Sequence, residues 1–466
     1  MNNFTKSLLT ALVATNVLAS LGFAESTDQE CIPEAEYSFI LSKYKVEKID
    51  ANDEVVKTYS PNDRCESGAF GTYMNAISYL YKLPKAAKIP SRLQTLISKE
   101  GPAQFFEKRI ANIKYASQEA ESCADGAAGF VSGWDDPKDK IMYFCDLKSY
   151  AINTPLAASH LLVHEARHID GHRHVSCERG QASEFSFPAC DKTYQEQGSY
   201  GIGVGYFFYV YKSTKNEAVR DEARSLAVKS VLINFIKPPL NITTGAIILG
   251  EDNVVSFSDG VETFLGSFEN DIQTMYVGSD PYLFFKNGEM ASYDFNGHWY
   301  LQKNTWVSDY YKNLSQGERD TLLDFKSTVF SSCFLWPQYM RCTAGKGIFK
   351  EVRFSTINPV RFYESFDIWH KRYQILDDSG KVYVLAEDFE DMMSESDRDY
   401  HTTKTEFPKL TGFAMLENGF TYGLGKDGFM MRREPKSTKW MRAKEFKEYK
   451  FKKLYPFMWS KTLEDL

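Results

Sequence analysis

Apolar and polar positions alternate with a rhythm that changes along the chain. Residues 8–21 are mostly apolar, interrupted by Thr10, Thr15, Asn16 and Ser20, and are followed by the small residues Gly22 and Ala24. From 25 to 120 apolar residues recur at mixed three- and four-residue spacing. Helices are predicted there at 70–81, 91–98 and 102–115, with Pro102 suited to a first helical turn. From 121 to 238 the pattern is mixed. Strands are predicted at 126–131 and 141–147 around the turn-forming Gly133-Trp134-Asp135-Asp136-Pro137, and helices at 155–169, 201–211 and 216–235. Gly171 is a natural stop for the first of these, because glycine tolerates the left-handed backbone past a helix end. Ile236-Lys237-Pro238-Pro239-Leu240 reads as a linker. From 239 to 466 short apolar runs flank Gly-containing turns, as at 246–258, 282–293, 373–385 and 413–431, with a unit hard to see around 330–345. A period of about 40 residues suits the four-stranded blades of a propeller, five or six of them, with a β-sandwich as the alternative.

The 1–24 segment has the build of a secretory signal peptide cleaved after Ala24. Lys6 gives a positive start, and the apolar run is too short and too interrupted for a membrane span. No lipid-anchor cysteine follows and no later stretch is apolar enough to cross a bilayer, so no transmembrane anchor is expected after cleavage. The protein is expected to be secreted or periplasmic. Export changes the reading of the eight cysteines, Cys31, Cys65, Cys123, Cys145, Cys177, Cys190, Cys333 and Cys342. In an oxidising compartment an even number predicts disulfides. Eight cysteines allow about a hundred pairings, of which nearest-neighbour pairing is the simplest: 31–65, 123–145, 177–190 and 333–342. No CxxC spacing supports a cysteine metal site. The 466 residues carry 55 Lys plus Arg against 62 Asp plus Glu, a net charge of -7, which argues against nucleic acid as a partner.

Five of the eight histidines fall within 160–174, in the run Ser159-His160-Leu161-Leu162-Val163-His164-Glu165-Ala166-Arg167-His168-Ile169-Asp170-Gly171-His172-Arg173-His174. It contains HExxH at 164–168. On a helix His164 and His168 are one turn apart on one face, so both imidazoles can reach one Zn²⁺ ion. Glu165, about 100° round the helix, is placed to take a proton from a water activated by that ion. A bare HExxH arises by chance in about one such chain in a hundred, so its extension matters. Gly171 breaks the helix, and His174 can then swing back as a third ligand. His160 shares the face but lies about 12 Å along the axis from His168, too far to join the same ion; it reads as a surface histidine, with a role behind the metal ligands or at the transition state as the alternative. His172 reads as solvated, and His298, His370 and His401 as structural. Gly198 to Gly205 carries alternating glycines but lacks the Lys-Ser/Thr ending of a phosphate loop; close backbone packing is expected of it.

The string His164, Glu165, His168, Gly171, His174 resembles the zinc signature HExxHxxGxxH of the metzincin metallopeptidases, within the wider zincin group. The likeness implies His164, His168 and His174 as zinc ligands and Glu165 as general base. It departs from the pattern at Arg167, where an uncharged residue is usual, and at Asp170, where an apolar one is. The methionine turn found shortly downstream in metzincins has no counterpart before Met275. The segment Asn216-Glu217-Ala218-Val219-Arg220-Asp221 resembles the NExxxD helix of gluzincin peptidases, which implies Glu217 as an alternative third ligand, with Glu222 or Cys177 behind it. The expected class is α+β: a zincin-like domain at 121–238 preceded by a mainly helical region at 25–120, and an all-β C-terminal domain at 239–466, propeller-like or a sandwich. The expected function is an exported zinc metallopeptidase acting on a peptide or protein substrate, its β-rich domain available to a surface partner. The alternative is a non-catalytic secreted β-domain binding protein with a structural or vestigial metal site.

Overall fold

The computed structural model describes residues 31–459 apart from internal stretches, the longest of which are 133–139, 146–153, 178–189, 363–373 and 385–400. The expected leader at 1–24, the turn at 133–137, Pro238, Pro239 and His370 lie outside the described residues. The chain forms two compact units, Met1–Leu240 with Thr462–Leu466, and Asn241–Lys461.

In chain order the first unit holds α1 (Glu34–Lys43), β1 (Lys45–Ile49), β2 (Val55–Thr58), α2 (Ala69–Lys82), α3 (Leu96–Glu100), α4 (Pro102–Arg109) and β3 (Asn112–Ala116). There follow β4 (Gly129–Ser132), β5 (Ile141–Cys145), α5 (Pro155–His168), β6 (Asp191–Thr193), α6 (Ser199–Ser213), α7 (Glu217–Ile233) and β7 (Phe235–Lys237). A five-stranded sheet has the order β2-β1-β3-β5-β4. Its centre is parallel, β1 beside β3 and β3 beside β5, while β2 and β4 run antiparallel at the two edges. This sheet crosses residue 120, so 25–120 is not a separate, mainly helical region. Strands of four or five residues are too short to show their alternation beside strongly periodic helices. The helix expected over 102–115 stops at Arg109 for the same reason, since Ile113, Tyr115 and Ala116 are the buried positions of a central strand. Helix α5 is packed by α2, α4, α6 and β4, and every residue from Leu156 to His168 is buried.

The second unit is all-β, a propeller-like ring of five four-stranded antiparallel sheets. Four are consecutive in the chain, beginning with the strands Ile272–Val277, Asp324–Ser327, Pro359–Phe362 and Leu410–Met415. The fifth combines Thr243–Gly250, Val254–Ser258 and Glu262–Ser267 with the last strand, Phe451–Trp459. That strand pairs along Thr243–Gly250 from Phe451 opposite Gly250 to Trp459 opposite Thr243, so the two ends of the unit share one blade and no sheet edge opens at the junction. The sandwich alternative is thereby corrected, and the blade count is five. Helices at Trp306–Asn313 and Gln316–Thr321, inserted between two blades, make the repeat uneven in sequence. The obscure unit near 330–345 is the blade in which the Cys333–Cys342 disulfide joins directly paired strands.

Side chains from three blades and a backbone carbonyl from a fourth meet around a buried carboxylate. Asp324 accepts hydrogen bonds from the Tyr455 hydroxyl at 2.7 Å and the Phe362 amide at 3.0 Å, and Lys453 Nζ lies 3.3 Å away. Arg361 stacks on the Tyr455 ring, 4.5 Å from its centre, and donates to the carbonyls of Thr411 and Leu454. Removing the carboxylate leaves the Lys453 ammonium, largely withdrawn from solvent, without its counter-charge. Asp324→Ala is expected to destabilise the second unit by about 3–5 kcal/mol, read as a shift of its transition in denaturant unfolding of the full chain. A shift below about 1 kcal/mol would refute the role given to this carboxylate.

Candidate metal centre

Helix α5 starts where the sequence offers a cap. The Thr154 hydroxyl accepts the Ala157 amide at 3.1 Å, and Pro155 occupies the first turn. Thr154 in turn donates to the Glu222 carboxylate at 2.6 Å. The helix ends at His168, and Gly171, with a φ of 81°, then reverses the chain. Val175 and Cys190 then exchange backbone hydrogen bonds at 2.7 and 2.9 Å, and the Cys177–Cys190 disulfide reinforces the pairing. His174 is thereby carried back over the helix.

His164, His168 and His174 come together, one ligand atom from each lying within 4.8 Å of the others. His164 Nε2 and His174 Nε2 are 3.3 Å apart. Two nitrogens at zinc-bond length from one tetrahedral ion are separated by roughly 3.3 Å. The outer nitrogens fix the tautomers. His168 Nδ1 lies 2.5 Å from the His172 carbonyl, with the Ser199 hydroxyl at 3.1 Å. A carbonyl can only accept, so Nδ1 carries the proton and Nε2 keeps a lone pair. His174 Nδ1 faces Asp191 Oδ1 at 3.4 Å, with the same consequence. The other Asp191 oxygen accepts the Gly201 amide at 2.8 Å, at the positive N-terminus of α6. With Nδ1 protonated, His168 and His174 each keep an Nε2 lone pair, and the three histidines together form a donor set that could hold a divalent metal such as zinc.

Burial sets the charge states. It pushes the His164 and His168 imidazoles well below their ordinary range, His168 to about 3, and the charges on neighbouring histidines add to the effect. Both are therefore neutral, the form a metal binds. Burial likewise raises the Glu165 carboxyl well above its usual range. Glu165 Oε1 lies 3.9 Å from His164 Nε2, beside the triad rather than in it. The Tyr200 ring packs on both His164 and His174, with centres 4.6 and 4.5 Å away, and its hydroxyl is buried with no hydrogen-bond partner.

The two departures from the zincin pattern answer each other. Arg167 Nη1 donates to Asp170 at 2.5 Å, and Arg109 Nε reaches the same oxygen at 2.6 Å. Arg167 Nε also donates to the Gln197 carbonyl at 2.6 Å, which ties the helix end to the turn before α6. The glycines of 198–205 allow close approach. A Cβ at Gly198 would lie 2.5 Å from the Asp191 carboxylate, and one at Gly203 would lie 2.3 Å from His160 Nε2.

Other expected ligands lie elsewhere. Glu217 is exposed in the first turn of α7, where Asn216 caps the helix by accepting the Val219 amide; the NExxxD likeness there is a helix-start signal. Cys177 is in a disulfide. Glu222 sits at the N-terminal end of α5, about 15 Å along the axis from His164. His160 is buried, not a surface residue. The sequence reading missed Asp191, Ser199 and Tyr200. Their only signals were the neighbouring Cys190 and the glycine run.

Two outcomes follow. Asp191→Ala should weaken zinc binding about 10- to 100-fold in chelator competition; an unchanged affinity would remove Asp191 as the support of His174. Burial raises Glu222 to about 7 against an ordinary 4.5. A carboxyl raised in this way holds its proton more tightly in the folded chain. Its contribution is complete below the ordinary value and is lost as pH climbs through about 7, on the order of 3 kcal/mol. Denaturant unfolding at pH 5 and pH 8 should show this loss in the wild type and its absence in Glu222→Gln. Identical pH profiles would refute it.

No family model matches the chain, and no curated protein matches it. Among solved structures it is similar to YCF48 from Cyanidioschyzon merolae, at 11% identity over 43% of this chain and 69% of that one, with a TM-score of 0.25. It is similar to AztD from Citrobacter koseri, at 10% identity over 44% and 74%, TM-score 0.25. It is also similar to the β-propeller domain of Cps50 (Swd1) from Myceliophteria thermophila, at 6% identity over 42% and 68%, TM-score 0.22. Likenesses at these scores carry no argument, and the ring of five sheets rests on its strand pairing.

Proposed function

We propose that the first unit is a zinc-dependent hydrolase acting on peptide bonds, and that the second is a binding module for a protein substrate or surface partner. The observation that carries this reading is the convergence of three buried imidazoles, His164, His168 and His174, beside the buried carboxyl of Glu165. The zincin-type string HExxHxxGxxH supports it. Zinc held by the three histidines would supply a Lewis acid that polarises a carbonyl and lowers the pKa of bound water to about 7. Glu165 would take a proton from the attacking water and return it to the leaving amine. Asp191 and the His172 carbonyl would keep two imidazoles in the metal-binding tautomer. The Tyr200 hydroxyl is a neutral donor available at the triad. All eight cysteines are paired in disulfides, in keeping with export, as is the leader read at 1–24. No helix among the described residues is long and apolar enough to cross a membrane.

A second reading is a non-catalytic binding protein in which the same histidines hold a structural metal. The burial of the site favours it: His164, Glu165, His168 and His174 are each 6% exposed or less, whereas catalysis needs an open coordination position.

Metal content of the purified protein separates these readings when measured beside His164→Ala, His168→Ala and Glu165→Gln. About one zinc per chain is expected in the wild type and in Glu165→Gln, and none in either histidine variant. Peptide hydrolysis should fall about 10²- to 10⁴-fold in Glu165→Gln. Zinc retained without hydrolysis of a broad peptide library by the wild type would favour the second reading. A folded wild type that refuses added zinc would overturn both.

A further inference from the structure

The three histidines of the triad are not equally supported. His168 is backed by the His172 carbonyl and His174 by Asp191. His164 Nδ1 is buried and has no hydrogen-bond partner. One turn earlier on the same face of α5 stands His160, 4% exposed, with both ring nitrogens also unpartnered. The two rings are 6.0 Å apart, centre to centre. Three unsatisfied nitrogens thus lie within one turn, in the seam between α5 and α6.

The seam is shaped around His160. Its ring stacks on Phe207 at 4.3 Å and an interplanar angle of 9°, and Gly203 leaves the space that a Cβ would take from Nε2. An apolar side chain would fill that position without an unmet hydrogen bond. Each buried polar atom left unpaired costs about 1–3 kcal/mol. A buried water commonly resolves such a conflict when several polar atoms surround it. Burial also holds His160 neutral, so one of its nitrogens is a lone-pair acceptor.

We propose that His160 is the outer partner of His164, joined to it through a water buried in the α5/α6 seam that accepts the His164 Nδ1 proton and donates to His160. His160 is then a positioning residue. It holds His164 in the tautomer whose Nε2 lone pair faces His174 and the metal, and all three metal-binding imidazoles are oriented from behind. The proposal rests on the metal-site reading above.

The test is zinc affinity by competition with a chromophoric chelator, for wild type, His160→Phe, His160→Gln and His164→Ala. Phenylalanine keeps the stacking on Phe207 and removes the nitrogens; glutamine restores a donor and an acceptor. His160→Phe should bind zinc about 10- to 100-fold more weakly while retaining the wild-type circular dichroism and thermal midpoint, and His160→Gln should recover part of the loss. Wild-type affinity in a folded His160→Phe, with zinc lost in His164→Ala, would overturn the role of His160 and leave the metal site standing. Failure of the wild type to bind zinc would remove the metal site itself. Should the phenylalanine variant not fold, ¹⁵N-histidine NMR of the zinc-loaded wild type decides the matter. A His164 Nδ1 proton protected from exchange supports the bridge, and coordination of His164 through Nδ1 overturns it.

Discussion

Helix α5 is buried from Leu156 to His168, yet it carries Ser159, His160, His164, Glu165, Arg167 and His168. Each of those groups must be satisfied in place, because none can reach water freely. That requirement explains much of what surrounds the helix. Ser159 meets the Tyr206 hydroxyl at 2.6 Å, Arg167 meets Asp170 and the Gln197 carbonyl, and His168 meets the chain as it turns back. The protein alone satisfies His160 and His164 least: both His160 ring nitrogens and His164 Nδ1 are buried without a hydrogen-bond partner.

The neighbouring helix answers the same constraint from the other side. The N-cap Gly198 and Gly203 within α6 carry no side chain, so that Asp191 and His160 can sit against the backbone there. Its N-terminus also stabilises the Asp191 charge through the Gly201 amide. Asp191 is held in turn by β6, which pairs in parallel with β7 at the end of α7. Support for the third histidine therefore comes from segments before and after α6, locked by the Cys177–Cys190 disulfide.

The second unit solves a different problem, the closing of a ring. A chain that lays down blades in order must join its ends or leave an open sheet edge. Pairing Phe451–Trp459 with Thr243–Gly250 closes it, and Tyr455 and Lys453 on that last strand meet Asp324 and Arg361 from other blades. Apolar cores between blades carry the packing: Tyr276, Phe284 and Met290 from one blade meet Phe325, Phe334 and Trp336 from the next.

The sequence determined what depends on local order. His164, Glu165 and His168 are readable because helical spacing alone puts the two histidines on one face, and Gly171 because its backbone freedom allows the chain to reverse just past the helix end. The four disulfides join nearest neighbours in the chain, and the strand-rich second half announces itself through repeated turns. The tertiary structure decided what depends on distant segments. The short strands β1 and β3 are strands because each lies between partners in the sheet, and their own sequence is too brief to say so. Glu217 matched a ligand motif yet lies in an exposed first turn that Asn216 caps. Asp191, Tyr200 and Arg109 had no motif at all, because their roles arise where separate elements meet. His160 read as a surface residue and became a core one when α6, hollowed at Gly203, closed over it.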